Sequence, residues 1–303
     1  MEVYYKKKNV DFVQVSVKES IYLYVSEIEI ITTSSIDNIS EPFSLVFPTK
    51  EQLSVYPVRI EQENDQIIYT CWPTKFFKSL TKLYGPINLQ GTVEDAAAAL
   101  GIEIDCASKS IATTWVCPEL GINDVMKMLE SNTQYFNGGG VCVTYRTSDK
   151  ISVFDLFSTI RKEPQVKVTG RTMNIQDTVE WMLSIPGSIS RTTASDSGID
   201  NVLNQIVSAP LPFKVYGVAS KESQDVLVNR MQNNLYKCLC TSKKIIVAVD
   251  SSDKPLRIGQ CVSFNKEGTH LVVLESNIIF PSAENIQQII TLGTWSELLK
   301  LQS

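Results

Sequence analysis

The sequence predicts a mainly β chain with α+β insertions. Three observations carry that expectation. Short runs rich in Val, Ile, Tyr and Phe alternate with Pro- and Gly-bearing breaks through the N-terminal third. The same texture returns from residue 161. Between the two, over 87–160, the apolar spacing changes from that of strands to that of helices. Closely spaced strands without intervening helices argue for an antiparallel sandwich or barrel.

VDFVQVSV (10–17) alternates imperfectly, because Phe12 and Val13 are adjacent. SIYLYVSEIEIITTSS (20–35) is β-branched and aromatic, and its second half sets Ile28, Ile30 and Thr32 against Glu27, Glu29 and Ile31. That is the pattern of a strand with one wetter face. Pro42 and Pro48 bracket FSLVF as a short strand. VYPVRIEQ (55–62) and QIIYTCWP (66–73) flank Glu63-Asn64-Asp65, a hairpin with a slightly long loop.

In FFKSLTKLYG (76–85), Phe76, Phe77, Leu80 and Leu83 share a helical face, and Gly85-Pro86 stops the helix. INLQGTVEDAAAALGIEI (87–104) holds a second helix. Thr92 followed by Asp95 is a capping-box-like start, the alanine run favours helix, and Gly101 ends it. TTWVCPELGINDVMKMLESNT (113–133) ends in another helix, with Ile122, Val125, Met126 and Leu129 on one face. Gly138-Gly139-Gly140 then enters a hairpin of VCVTYR, a Thr147-Ser148-Asp149 turn and KISVFDLF.

Beyond 161, QVKVTG (165–170), TVEWMLSIPG (178–187) and FKVYGVA (213–219) read as strands. PGSISRTTASDSGIDNVLNQ (186–205) has the composition of a long exposed loop. Apolar residues at 226, 228, 231 and 235 place an amphipathic helix at about 221–236. CLCTSKKIIVAVD, LRIGQCVSFN and THLVVLESNIIF are three more strands, and GTWSELLKLQS (293–303) is a short terminal helix.

The 303 residues suggest about two domains. The formal charge is -5, from 28 basic and 33 acidic residues, which gives no electrostatic case for gripping nucleic acid. Lys6-Lys7-Lys8 reads as a solvated edge. No run reaches the ~20 apolar residues of a spanning helix. The first residues lack a signal-peptide core, so the chain is expected to be made and kept in a cytoplasm. Seven cysteines, without a CxxC pair, read as small buried apolar groups, and on a strand Cys238 and Cys240 would face the same way. No metal or cofactor is expected.

Catalytic patterns are weak. His270 is the sole histidine, at the start of an apolar strand, where a surface or satisfied core role suffices. There is no GxSxG, GxGxxG or P-loop spacing, and the triple glycine reads as entry to a hairpin. Glu61/Glu63 flank a turn and Glu94/Asp95 cap a helix, so neither carboxylate pair assembles a glycosidase site.

The order of these pieces is more specific than any one of them. It resembles the hub proteins of phage tails and their relatives: the trimeric baseplate hub, the late control protein D family and the first half of VgrG spikes. The matching segments are Thr92 to Asp95, Leu100-Gly101-Ile102, Trp115 to Pro118, Val125 to Leu129 and Gly138 to Asp155. Toward the end, NRMQNNLYKCLCTSKKIIVAVD, RIGQCVSFN and LVVLESNIIF resemble the family's helix-to-strand step and closing strands. The last motif usually carries a histidine, and Glu275-Ser276-Asn277 stands there instead.

The resemblance implies two tail-tube-like β-barrel domains in one chain. The first would span 1–86 and gain a later strand from about 160–180. An α+β module would fill 87–160, the second barrel 161–285, and a C-terminal segment 286–303. It implies a non-enzymatic homotrimer joining a six-fold tail tube protein to a three-fold central spike or tail tip protein, with tape measure and baseplate wedge proteins as further partners. DNA would pass the lumen without specific binding. The expected location is the virion, after assembly in the host cytoplasm. Trp295, Leu298, Leu299 and Leu301 are the candidate partner-docking residues, with packing on their own barrel as an equal reading. The alternatives are another β-rich tail part (tube, adaptor or wedge) or a tail-associated cell-wall hydrolase.

Overall fold

Alternation in the N-terminal runs builds a curled antiparallel sheet. Its strands are β1 (Glu2–Tyr5), β2 (Lys8–Asn9), β3 (Gln14–Ser20), β4 (Glu27–Thr32), β5 (Phe43–Val46), β6 (Gln52–Glu63) and β7 (Gln66–Pro73). They pair in the order β3-β4-β7-β6-β5-β1-β2. Val15, Val17, Ile28, Ile30, Phe43, Leu45, Val55 and Tyr69 fill the concave side. The computed structural model describes residues 1–36, 39–107, 109–135, 140–145, 150–160, 162–177, 186–195, 198–205, 214–219, 233, 237, 240–241, 243–250, 255–264, 270–283 and 285–294, with backbone alone for 177 and for 186–219.

The hairpin turns are tighter than the sequence suggests. Glu63 pairs with Gln66, so Asn64 and Asp65 alone make the β6–β7 turn, both left-handed at φ 46 and 61. That is the two-residue geometry whose twist matches the strands. Lys6 and Lys7 do the same between β1 and β2, at φ 49 and 65. Part of the basic run is thus a turn.

The middle of the chain is an α+β module: α1 (Thr74–Ser79), β8 (Leu83–Tyr84), β9 (Ile87–Gly91), α2 (Val93–Ala99), β10 (Ile104–Cys106), β11 (Thr113–Cys117), β12 (Leu120–Gly121), α3 (Ile122–Asn132), β13 (Val141–Tyr145), β14 (Ile151–Asp155) and α4 (Leu156–Ile160). The first helix is shorter than its apolar pattern, because Leu83 and Tyr84 pair with β12 instead of continuing the coil. The capping box forms as the spacing requires: Asp95 N donates to the Thr92 hydroxyl, and Thr92 N donates to the Asp95 carboxylate. At the other end Gly101 takes φ 68, and Ile102 N donates to the Ala97 carbonyl. Trp115 is fully buried, its indole N–H on the Gly91 carbonyl at 2.9 Å. The end of KISVFDLF is not strand: Asp155 accepts from Phe157 N and the Ser158 hydroxyl and starts α4.

Every residue of β13 and β14 is buried. One face, with Val141, Val143, Ile151 and Val153, joins the core made by α2, Trp115 and α3. The other, with Cys142 and Phe154, joins the core of the C-terminal strands. The hairpin is the layer between those two cores.

The C-terminal strands are β15 (Val166–Val168), β16 (Gly170–Asp177), β17 (Pro186–Ser195), β18 (Gly198–Gln205), β19 (Lys214–Ala219), β20 (Lys243–Val249), β21 (Cys261–Phe264), β22 (His270–Phe280) and β23 (Gln287–Thr294). β15 bonds β21 while β16, one residue on, bonds β20. The run β15-β21-β22-β23-β20-β16 thus begins and ends on consecutive strands, joined through the chain at Thr169 and not by a ladder. β17, β18 and β19 form a separate small sheet.

Several sequence expectations change. The described strands of the segment 160–180 pair not with β1–β7 but with C-terminal strands, β15 with β21 and β16 with β20. The strand that joins β3 is β22, through Glu275 to Phe280. The segment expected as a C-terminal appendage from 286 contains β23, a central strand with Ile290 and Leu292 buried between β20 and β22. The expected loop at 186–205 holds two antiparallel strands, β17 and β18, its Ser and Thr residues being compatible with strands as well as turns. Asn233, Lys237 and Cys240 are helical, so Cys240 does not sit on a strand. The other residues of the helix expected at about 221–236 (221–232 and 234–236), TVEWMLSI (178–185) and Cys238 lie outside the described residues.

β22 therefore belongs to both curls. Its start pairs with β21 and its end with β3, while β23 flanks it throughout. The register shifts between Val273 and Glu275, where the partner changes, and a bulge there bends the strand. A buried polar seam lies beside the change-over. Glu19 meets Arg257, the Ser276 hydroxyl donates to the Leu256 carbonyl at 2.8 Å, and Gln288 both accepts from Leu256 N and donates to its carbonyl.

Candidate assembly surfaces

The residues that could have carried catalysis are dispersed. Glu61 is exposed on β6 and bridges Arg59 at 3.4 Å. Glu94 accepts from the Ser110 hydroxyl beside the cap of α2. His270 opens β22, 3.9 Å from the Glu163 carboxylate. Cys71, Cys117, Cys142, Cys240 and Cys261 are buried. Burial raises the thiols of Cys71, Cys117, Cys240 and Cys261, which leaves them protonated packing groups rather than thiolates. Cys106 is pushed up to about 12 by burial and by the neighbouring Glu94. Among the described residues no group of three or more His, Cys, Asp or Glu could hold a metal ion, and no helix is long and apolar enough to cross a membrane.

Trp295, Leu298, Leu299 and Leu301 lie outside the described residues. The chain reaches them from β23, whose last residue, Thr294, donates its hydroxyl to the His270 carbonyl at 3.4 Å.

What the surface offers is strand. The continuous sheet ends at β2 on one side and at β16 on the other. The β2 end is two residues long and set beside Lys6, Lys7 and Lys8, an edge blunted by length and charge. The β16 end is eight residues long, and among the described residues no strand pairs with its outer side. Arg171 to Gln176 are all exposed, on both faces of the strand, and Met173 and Ile175 are 58% and 57% exposed. β6 offers a second such stretch. β5 covers it only from Gln52 to Val55, and Arg59 to Glu63 project with every side chain exposed, including Ile60. Sequence reading passes over these residues because the alternation of Met173 and Ile175 looks like that of any half-buried strand.

No family model and no curated protein matches the sequence. Solved structures match the fold over nearly the whole chain. The tail protein from Neisseria meningitidis MC58 superposes with a TM-score of 0.64 at 11% identity, covering 96% of this chain and 95% of that one. The prophage MuSo2 43 kDa tail protein from Shewanella oneidensis gives 0.63 at 9% identity, covering 97% of each chain. An E. coli component of the type VI secretion system, described as similar in structure to T4 bacteriophage tail proteins gp27 and gp5, gives 0.53 at 10% identity and covers 98% of this chain and 78% of its own. The fold of this chain is that of phage tail proteins.

Proposed function

We propose that this chain, with the fold of a phage tail protein, is the structural hub of a phage or phage-derived tail. In this reading it is a homotrimer without catalytic function, and its two tube-like curls give six similar modules per ring. Such a ring meets a six-fold tail tube protein on one side and a three-fold spike or tip protein on the other. The two curls fused through β22 are the observation that supports this most directly, together with full-length correspondence to tail proteins. The Trp295, Leu298, Leu299 and Leu301 segment is assigned to the spike side, with tape measure and baseplate wedge proteins as further neighbours. An acidic chain lining the lumen would let DNA pass without holding its phosphates. The place of action is the virion tail, after assembly in the host cytoplasm.

The test is the solution mass of the purified chain by light scattering, against 33.8 kDa per copy. Three copies support the hub. Six copies, or an extending polymer, point to a tube or adaptor protein. A strict monomer at micromolar concentration counts against the trimer.

A further inference from the structure

We propose that the connection between β3 and β4, residues 21–26, is a coupling junction that makes three cores of the chain open together rather than one at a time. The cores are distinct clusters of buried side chains: one inside the N-terminal curl, one in the α+β module and one among the C-terminal strands. β13 and β14 lie between the second and the third, and β22 joins the third to the first. Residues 21–26 touch all three. Ile21 is buried in the C-terminal core, Tyr24 and Val25 pack against the module core, and the flanking strands carry Val17 and Ile28 of the N-terminal core.

Backbone bonds fix each arm. Ile21 N donates to the Leu274 carbonyl at 3.0 Å, and Leu274 sits at the β22 bulge, where the ladder to β23 shifts. Tyr145 N, at the end of β13, donates to the Tyr24 carbonyl at 2.7 Å, and Ser26 N donates back to the Tyr145 carbonyl at 3.0 Å. Val25 thereby makes a parallel bridge to Tyr145. Side chains extend the contact. The Tyr24 hydroxyl donates to the Glu130 carboxylate of α3 at 2.8 Å, and the other oxygen of that carboxylate meets the Lys237 ammonium. The Lys244 ammonium of β20 stands over the Tyr22 ring, 4.9 Å from its centroid. Leu274, Ser26 and Tyr145 are all buried, so drawing any one core away from residues 21–26 leaves peptide groups unpaired in the interior. Cores behave as separate units when few contacts cross between them, and as one when the crossing contacts are buried and paired.

Amide exchange in the full chain, followed through increasing urea, reads the opening of each core separately, from β4, α3 and β23. In the wild-type chain the three sets are expected to converge on one opening with one urea dependence. Tyr24→Phe with Val25→Ala loosens the module arm, and α3 is then expected to be at least about tenfold less protected than β4. Ile21→Ala loosens the C-terminal arm and is expected to do the same to β23. Val262→Ala, a cavity on β21 in the C-terminal core, is the control and is expected to lower all three sets by the same factor. Wild-type sets that already open independently overturn the proposal. A uniform fall of all three sets in the junction variants also overturns it, since residues 21–26 would then be an ordinary contact. Tyr24→Phe alone keeps the ring and removes only the bond to Glu130, which keeps the test decisive if the double variant does not fold. It is expected to move α3 in the same direction, and protection that changes equally in α3 and β4 overturns the coupling.

Discussion

Arg257 and Glu19, 238 positions apart in the chain, meet at 2.8 Å with the Glu19 side chain wholly buried. The pair ties the loop before β21 to β3, across the change-over in β22. Its second carboxylate oxygen has no hydrogen-bond partner, so the arginine is the main compensation for a buried charge. Removing it is expected to cost about 3 kcal/mol, the lower part of the range for breaking a buried pair, because the Arg257 side chain is 26% exposed. Urea unfolding of Arg257→Met checks this, and Glu19→Gln in that background is expected to recover most of the loss.

Trp115 fills the module core and also satisfies the Gly91 carbonyl. Trp115→Phe keeps much of the volume but orphans that oxygen, for an expected loss of about 1–2 kcal/mol. Trp115→Ala also opens a cavity, for about 3–5 kcal/mol. Thermal unfolding of the two variants separates the packing and hydrogen-bond contributions.

Gly259 holds φ 76, and a Cβ there would stand 2.7 Å from the Phe154 ring. Gly259→Ala therefore meets both a left-handed backbone penalty and a clash with a core side chain, and is expected to lose more than about 1 kcal/mol. Adding Phe154→Leu is expected to relieve only the clash, so a full rescue would show that the backbone conformation costs little.

The capping box of α2 should carry a pH signature. Hydrogen bonds from the Thr92 backbone N–H and hydroxyl hold the Asp95 carboxyl below its ordinary value. A carboxyl lowered on folding stabilises the native state above its unfolded pKa, near 3.9, and that contribution disappears as pH falls through the folded value. The protection of the amides at the start of α2, measured relative to their intrinsic exchange rates, is expected to fall across that acid window, and Asp95→Asn to abolish the dependence. Thr92→Ala is expected to cost about 1 kcal/mol at neutral pH.

Features decided within a few residues were legible in the sequence. Thr92, Asp95 and Gly101 bound α2 because caps are local chemistry, and the apolar face of α3 follows from spacing alone. Features decided by distant partners were not. QQIITLGT reads as a tail until β20 and β22 flank it, and PGSISRTTAS reads as a loop until β18 and β19 do. The exposed stretches of β16 and β6 were invisible for the same reason, since whether a strand has a neighbour is a property of the whole sheet. The order of motifs led to the tail-protein fold where composition could not.

Because one strand serves both curls, they are mechanically in series. A torque on the N-terminal curl reaches the C-terminal one through the covalent backbone of β22, whose bulge at the change-over is the compliant point. The Glu19–Arg257 pair beside it acts as a brace against bending. A tilt imposed at one curl would be delivered to the other as a rotation of a few strands, without any ladder in either curl having to part.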